Sequence, residues 1–256
     1  MTSRHTEILR FLYQFRFLSR NQLQTLLNHK HYNRIIVWLN ELTENGYIRR
    51  YYDKKRVTVP AIYSLGNKGR KYLKQNAKTE RVKPELLDRI WRELTLSNQF
   101  RHHCLQVADI YLSLVKLTQS TKATLHFYTR TDLSGLKYLI LPYPDAYFSI
   151  EETNGRKKCY FLDIFDELPA RMVLRKRVRQ YFEYFNNGYW QDHNDNPFPA
   201  IILFCPDNRS SHYLNTFIQK QLNDEPELEF YLTTREQLQK MGFCREALQK
   251  VLPKEP

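Results

Sequence analysis

Asp145, Asp163 and Asp166 are residues of this 256-residue chain whose type and placing could do chemistry. Asp145 follows Pro144 near the start of a strand-like run, YPDAYFSI, while Asp163 and Asp166 stand at the end of the next, KKCYFLDIF, and just beyond it. Paired as neighbours, the two runs would bring these carboxylates together. Clustered carboxylate oxygens suit a hard cation such as magnesium, which can generate hydroxide and stabilise the oxygen displaced from a phosphodiester. A cation for such a site could come from Lys176 or Arg177 in the helix that follows. The plainer alternative is that the acids cap turns or pair with Arg171, Arg175 or Arg179, which recur every four residues and form one basic helical face.

Other chemistries find less support. Cys104, Cys159, Cys205 and Cys244 are scattered, with no C-x-x-C pair and no histidine at finger spacing, so neither a structural zinc nor a disulfide framework is expected. His102, His103 and Cys104 are consecutive, and on a helix they point about 100° apart, which keeps all three from one metal. Neither a P-loop nor a Gly-rich dinucleotide turn is present, and no cofactor is expected beyond magnesium, and that only if the acidic cluster acts on a phosphodiester.

A second set of residues is basic. Residues 1–80 hold 16 Lys plus Arg against 5 Asp plus Glu, a balance of +11 out of the chain's +13; residues 81–256 hold 24 against 22. Such a confined positive block favours a polyanion such as nucleic acid, with an acidic protein or membrane surface as the alternatives. Within it, HYNRIIVWLNELTENG places Ile35, Ile36, Leu39 and Leu42 on one helical face, and Gly46 stands where a helix ends in a left-handed residue. The other side offers Lys30, His31, Asn33, Arg34, Val37 and Trp38, groups able to meet phosphates, base edges and thymine methyls.

The elements that must position these residues follow from periodicity. TEILRFLYQFR reads as a first helix; Ser19 and Gln22 fit a capping box for a second; the helix after His31 is the third. Two strand-like runs then flank the basic stretch Asp53-Lys54-Lys55-Arg56, and another helix begins at GNKGRKYLKQ. Residues 79–96 are polar and charged and read as a connector. From Ser97 a helix of about 20 residues is expected. Beyond it the order is three strands, helix, strand, helix, strand, with Asn154-Gly155 as the hairpin between the second and third and AIILFC as a strand buried on both faces. The aromatic run Tyr181, Phe182, Tyr184, Phe185, Tyr189 and Trp190 could line a subunit interface or fill the core beside the sheet.

With Tyr63, Leu65, Gly69 and Leu73 matching a "Y-x-L-x-x-x-G-x-x-x-L" ending, residues 6–76 resemble the bacterial winged-helix superfamily. That resemblance implies a third helix in the major groove, with Lys30, His31, Asn33, Arg34 and Val37 facing bases and phosphates. Arg49, Arg50, Lys54, Lys55 and Arg56 would then meet the backbone. The acidic strands resemble the PD-(D/E)xK nuclease core, which implies Asp145, Asp163, Asp166 and Lys176 as catalytic residues if the chain cleaves DNA, with Asp145 and Asp163 as metal ligands. Here the lysine position of the triplet is Phe165, a departure that favours a non-catalytic relic of the fold. Together with Pro144-Asp145-Ala146, Phe161-Leu162-Asp163 and Arg177-Val178-Arg179-Gln180-Tyr181, over residues 6–235, the chain is similar to the replication-relaxation family of bacterial plasmids and integrative elements. In that family the strand usually ends Glu-x-Asp; here it reads Asp163-Ile164-Phe165.

The expectation is therefore an α+β protein: a winged helix-turn-helix over 1–78, a connector over 79–96, and over 97–256 an α/β domain with a mixed sheet resembling a degenerate PD-(D/E)xK core. The resemblance implies a sequence-specific binder of double-stranded DNA that controls replication, mobilisation or transcription of its element. It would act as a homodimer or with replication or mobilisation proteins. A magnesium-dependent endonuclease or nickase and a protein-binding adaptor are the alternatives. No run approaches the roughly 18 apolar residues of a membrane span, and charges interrupt the start, so a cytoplasmic protein is expected.

Overall fold

The computed structural model describes residues 1–52, 58–90, 97–165, 170–222 and 227–254. It divides into two compact units, Met1–Leu112 and Ser113–Pro256.

The first unit runs α1 (Ser3–Phe15), β1 (Leu18–Ser19), α2 (Arg20–Leu26), α3 (Tyr32–Glu44), β2 (Ile48–Tyr51), β3 (Ile62–Leu65), α4 (Asn67–Gln75), α5 (Ala77–Glu80), α6 (Pro84–Ile90) and the first half of α7 (Asn98–Thr121). Its sheet is antiparallel, in the order β1-β3-β2. Strand β1, two residues long, carries no periodicity of its own and exists only as the partner of Ile62 and Tyr63. The expected capping box forms: the Gln22 N–H donates to Ser19 Oγ, and the Ser19 N–H donates to Gln22 Oε1 at 2.9 Å. The same glutamine's Nε2 donates to the Leu105 carbonyl (2.9 Å) and to Asp109 Oδ1 (2.6 Å), tying α2 to α7.

Helix α3 buries Ile35, Leu39 and Leu42; Ile36, expected beside them, is only half-buried. The helix ends at Gly46, whose φ is +74°. There the Tyr47 N–H donates to the Leu42 carbonyl and the Gly46 N–H to that of Thr43, two otherwise orphaned acceptors of the last turn.

The boundary between units lies inside α7, later than the expected connector over 79–96. Helix α6 is charged by composition but hides Leu86, Leu87 and Ile90, and the Lys83 N–H donates to Tyr13 Oη at 2.9 Å. The first half of α7 packs in the same unit, with the rings of Phe15 and Tyr111 5.3 Å apart and those of Phe17 and Phe100 6.0 Å apart. An apolar stripe of three residues in a charged segment was enough to hold it to the core.

In the second unit, β4 (Thr124–Thr129), α8 (Arg130–Leu133), β5 (Ala146–Glu151), β6 (Lys157–Ile164), α9 (Arg171–Asn186), β7 (Ala200–Cys205), α10 (Asn208–Leu222), β8 (Phe230–Thr234), α11 (Arg235–Met241) and β9 (Gln249–Lys250) follow the end of α7. The six strands form one mixed sheet in sequence order, parallel from β6 through β8 and antiparallel elsewhere. The hairpin forms at Asn154-Gly155, with Gly155 at φ +79°, and β7 is buried at every residue. Both crossover helices cover one sheet face: Leu174, Val178 and Tyr181 of α9 and Leu214, Ile218 and Leu222 of α10 share a core with Phe161, Ile201, Leu203, Phe230 and Leu232. Consecutive right-handed crossovers along one sheet direction place them so. Of the aromatic run, Tyr181, Phe182, Tyr184 and Trp190 are core residues, while Tyr189 is 53% exposed. Among the described residues no helix is long and apolar enough to cross a membrane.

Gly69, in the first turn of α4, lies close against the backbone at Tyr47. A Cβ there would run into the Tyr47 carbonyl oxygen and crowd Leu9 Cδ2. Since the obstacle is backbone, Gly69→Ala is expected to destabilise the protein by about 1–3 kcal/mol, read as a lower denaturation midpoint in urea at an unchanged slope.

Candidate nucleic-acid interface and buried carboxylate site

On α3 the sequence supplies one apolar stripe, and the fold uses it to point everything else outward. Lys30, His31, Asn33 and Arg34 are exposed and Val37 is 43% exposed. The first turn of the helix is braced from outside. Arg20 of α2 lays its guanidinium 4.5 Å from the centre of the Tyr32 ring and donates from Nη1 to Tyr32 Oη at 2.7 Å. The His29 ring meets Trp38 edge-on at 5.0 Å, and the Arg34 guanidinium lies 6.0 Å from the same indole. Arg20, His29 and Tyr32 were not singled out from the sequence. Arg20 opens α2, twelve residues before Tyr32, outside the periodic signal of α3, and only the packing of α2 on α3 brings it there.

Arg49 and Arg50 are both exposed, but strand alternation sends them to opposite sides of β2. Arg50 lies across from Tyr63 in the ladder. Burial raises the Tyr63 hydroxyl above its ordinary value while Arg50 and Arg20 pull it back, so these two cations share one side of the sheet. Arg49 keeps company with Arg70 of α4, whose guanidinium is held below its usual value by burial and then by Arg49's like charge. Lys54, Lys55 and Arg56 lie outside the described residues.

In the second unit the period of two puts Asp145, two residues before Tyr147, and Asp163, two after Phe161, on the α9 face. Both are about 5% exposed, and both are engaged. Arg177 of α9 reaches Asp163 in a fork, Nε to Oδ2 at 2.6 Å and Nη2 to Oδ1 at 3.1 Å, while the Tyr181 hydroxyl donates to Oδ2 at 2.6 Å. Arg177 Nη1 donates to the Pro142 carbonyl at 2.8 Å. Asp145 Oδ2 accepts the Ile164 N–H at 2.8 Å, and its Oδ1 lies 2.8 Å from Arg130 Nη2. Burial alone would push the Arg177 cation down; Tyr181, Asp163 and Asp145 more than reverse it and hold its pKa above the usual value. Tyr181, wholly enclosed, is driven well above its ordinary value by burial, with Asp163 adding to that and Arg177 opposing it.

The acids thus do not pair with Arg171, Arg175 or Arg179, which are exposed on the outer side of α9. Arg177 lies on the buried stripe with Leu174, Val178 and Tyr181, a position that helical spacing alone could have identified. Lys176, one residue earlier, points to solvent, and Asp166 lies outside the described residues. A divalent ion does not fit this arrangement, because a guanidinium already bridges both oxygens of Asp163. Among the described residues no group of three or more His, Cys, Asp or Glu is placed to hold a metal. A cleft of about 450 Å³ in this unit is lined by His126, Tyr128, Tyr147 and Trp190 among others, and neither aspartate opens onto it.

The family model of replication-relaxation proteins matches residues 9–201. The chain belongs to the replication-relaxation family. No curated protein matches it. The part shared with the replication-relaxation model runs from α1 into β7, short of the 6–235 expected from motifs. It takes in α3, β2, both aspartates, Arg177 and Tyr181, and leaves out α10 and β8.

Because Arg177 and Asp163 are buried together, removing one strands the other. Asp163→Ala is expected to destabilise this replication-relaxation protein by about 3–5 kcal/mol, whereas replacing both partners by apolar residues, Asp163→Leu with Arg177→Met, should cost clearly less than the two single changes summed. A double-mutant cycle in urea checks this; additive losses would show that the fork contributes no coupling.

Proposed function

We propose that residues 1–78 are a winged helix-turn-helix that binds double-stranded DNA sequence-specifically, and that the protein thereby controls replication, mobilisation or transcription of a plasmid or other mobile element. One observation carries this reading: α3 buries Ile35, Leu39 and Leu42 completely and leaves Lys30, His31, Asn33, Arg34 and Val37 to solvent on a helix braced at its first turn. The order α1-β1-α2-α3-β2-β3 with its β1-β3-β2 sheet matches the connectivity of such domains, and the membership in the replication-relaxation family supports the link to mobile DNA. In this reading α3 enters the major groove, Asn33 and Arg34 meet base edges, and Arg20, Lys30 and Arg50 contact phosphates. The opposite facing of Arg49 and Arg50 means that the two cannot serve one strand of backbone equally, and Arg50, on the side of Arg20, is the one assigned to it. Binding as a homodimer on two half-sites accords with this mode.

The second unit is read as a non-catalytic relative of PD-(D/E)xK nucleases. The rival, a magnesium-dependent nickase using Asp145 and Asp163, would need carboxylate oxygens that Arg177, Tyr181, Arg130 and the Ile164 N–H already occupy. An adaptor function would make the α3 surface dispensable.

Footprinting of the purified protein on DNA upstream of its own gene, across a salt series with magnesium present, tests all three. A protected site with intact strands on a denaturing gel is expected, and Arg34→Ala should lose about 1–3 kcal/mol of preference for that site over unrelated DNA. Nicks abolished by Asp145→Ala would replace this reading with the nickase. Preference unaltered by Arg34→Ala would favour the adaptor.

A further inference from the structure

Helix α9 handles its five cations in two ways. Arg177 faces inward and is neutralised by Asp163; Arg171, Arg175, Lys176 and Arg179 face outward, and among the described residues none of the four has an acidic partner. The second unit as a whole is close to neutral, with 19 Lys plus Arg against 18 Asp plus Glu over residues 113–256, and four of those cations stand on this ridge.

The arrangement is unfavourable for the helix that bears it. Arg171, Arg175 and Arg179 stand four residues apart, where like charges repel. Arg171 also stands in the first turn of the helix, where the backbone dipole disfavours a cation, and no acid stands in that turn. Among the described residues no side chain caps the N-terminus. Meanwhile α10 holds two of the guanidiniums in place: Arg171 lies 4.8 Å from the centre of the Tyr213 ring and Arg179 lies 5.7 Å from that of Phe217, two rings themselves four residues apart. The three guanidiniums are therefore exposed, two of them held by rings, at intervals of about 6 Å along the helix (four residues at 1.5 Å), and the one acid of α9, Glu183, stands four residues beyond Arg179 at the end of the row. A local charge conflict that the fold preserves calls for an external anion.

We propose that this outer ridge of α9 is a second nucleic-acid contact, in which Arg175, Lys176 and Arg179 bind successive phosphates of a DNA duplex independently of its sequence. The assignment rests on the DNA-binding reading of α3 for the kind of partner, and its residues are separate from that surface. Repeating phosphates suit cations set along one helix face: Arg175 and Arg179 stand about one turn apart with Lys176 beside them, and planar Arg donors pair with phosphate oxygens in a fork. The contact would add affinity and leave selection of the site to α3.

The test uses the full chain, with a fluorescent duplex carrying the footprinted upstream DNA and an unrelated duplex of equal length, titrated over a salt series. Arg175→Gln with Lys176→Gln is the informative variant, since neither side chain stacks on a ring. It should reduce the slope of log K against log salt by about 1.8, at about 0.9 per lost phosphate contact, equally on both duplexes. Arg34→Ala, run in parallel, should lose the preference between duplexes. An unchanged slope in the α9 variant beside lost preference in Arg34→Ala would overturn the ridge and leave the α3 reading standing, pointing the ridge to an acidic protein or membrane. A reduced slope in the α9 variant with preference unaltered by Arg34→Ala would support the ridge and remove the α3 reading. Wild-type protein that binds neither duplex would overturn both.

Discussion

The guanidinium of Arg177 beneath α9 is the interaction on which the second unit depends. A cation that deep would cost several kcal/mol if it lacked partners. Its fork onto Asp163, its bond to the Pro142 carbonyl and its place against the Tyr181 ring satisfy it from the strand end, the loop before β5 and its own helix together. Asp145 does the matching work on the neighbouring strand, joining Arg130 of α8 to the backbone of β6. The end of the β5–β6 pair is thereby cross-linked to both elements that flank it. The aspartates that looked most like reagents are braces.

In the first unit the constraint is reversed. On α3 the cation Arg34 stays in water and the apolar stripe is what gets buried, so the helix is fixed by Ile35, Leu39 and Leu42 within and by rings and Arg20 at its exposed first turn. Gly46 and the close approach of Gly69 to the Tyr47 carbonyl set where the chain leaves α3 and where α4 comes back against it. For the DNA contact proposed on α3 rigidity matters, because ordering a surface on contact subtracts from affinity. The brace at Tyr32 and the left-handed stop at Gly46 supply that rigidity at the two ends of the helix.

Much of this was legible in the chain itself. Periods of 3.6 and 2 placed the main helices and all strands but β1 and β9; Ser19 with Gln22, Asn154 with Gly155, and Gly46 marked their ends; the short motifs gave the family. The concentration of +11 in the first 80 residues marked that half as the basic part of the chain. These signals are local, a few residues long or a sum over many, and they survive whatever the chain does at long range.

What the tertiary structure decided was pairing. Which of five cations on α9 would reach Asp163, which side of β2 would carry Arg50, whether the charged segment at 79–90 would link or pack, and whether α7 would serve one unit or two all depend on partners tens of residues away. Strand β1 has no sequence signal because its two residues are a strand only through β3. Helical spacing could show that Arg177 faces inward, since it shares the stripe of Leu174 and Val178, but not that an acid waits there, because that follows from the register of β6 beneath it. The sequence by itself determined faces, ends and charge; the fold decided which faces meet, since burial of a polar group is settled by the partner that arrives opposite it.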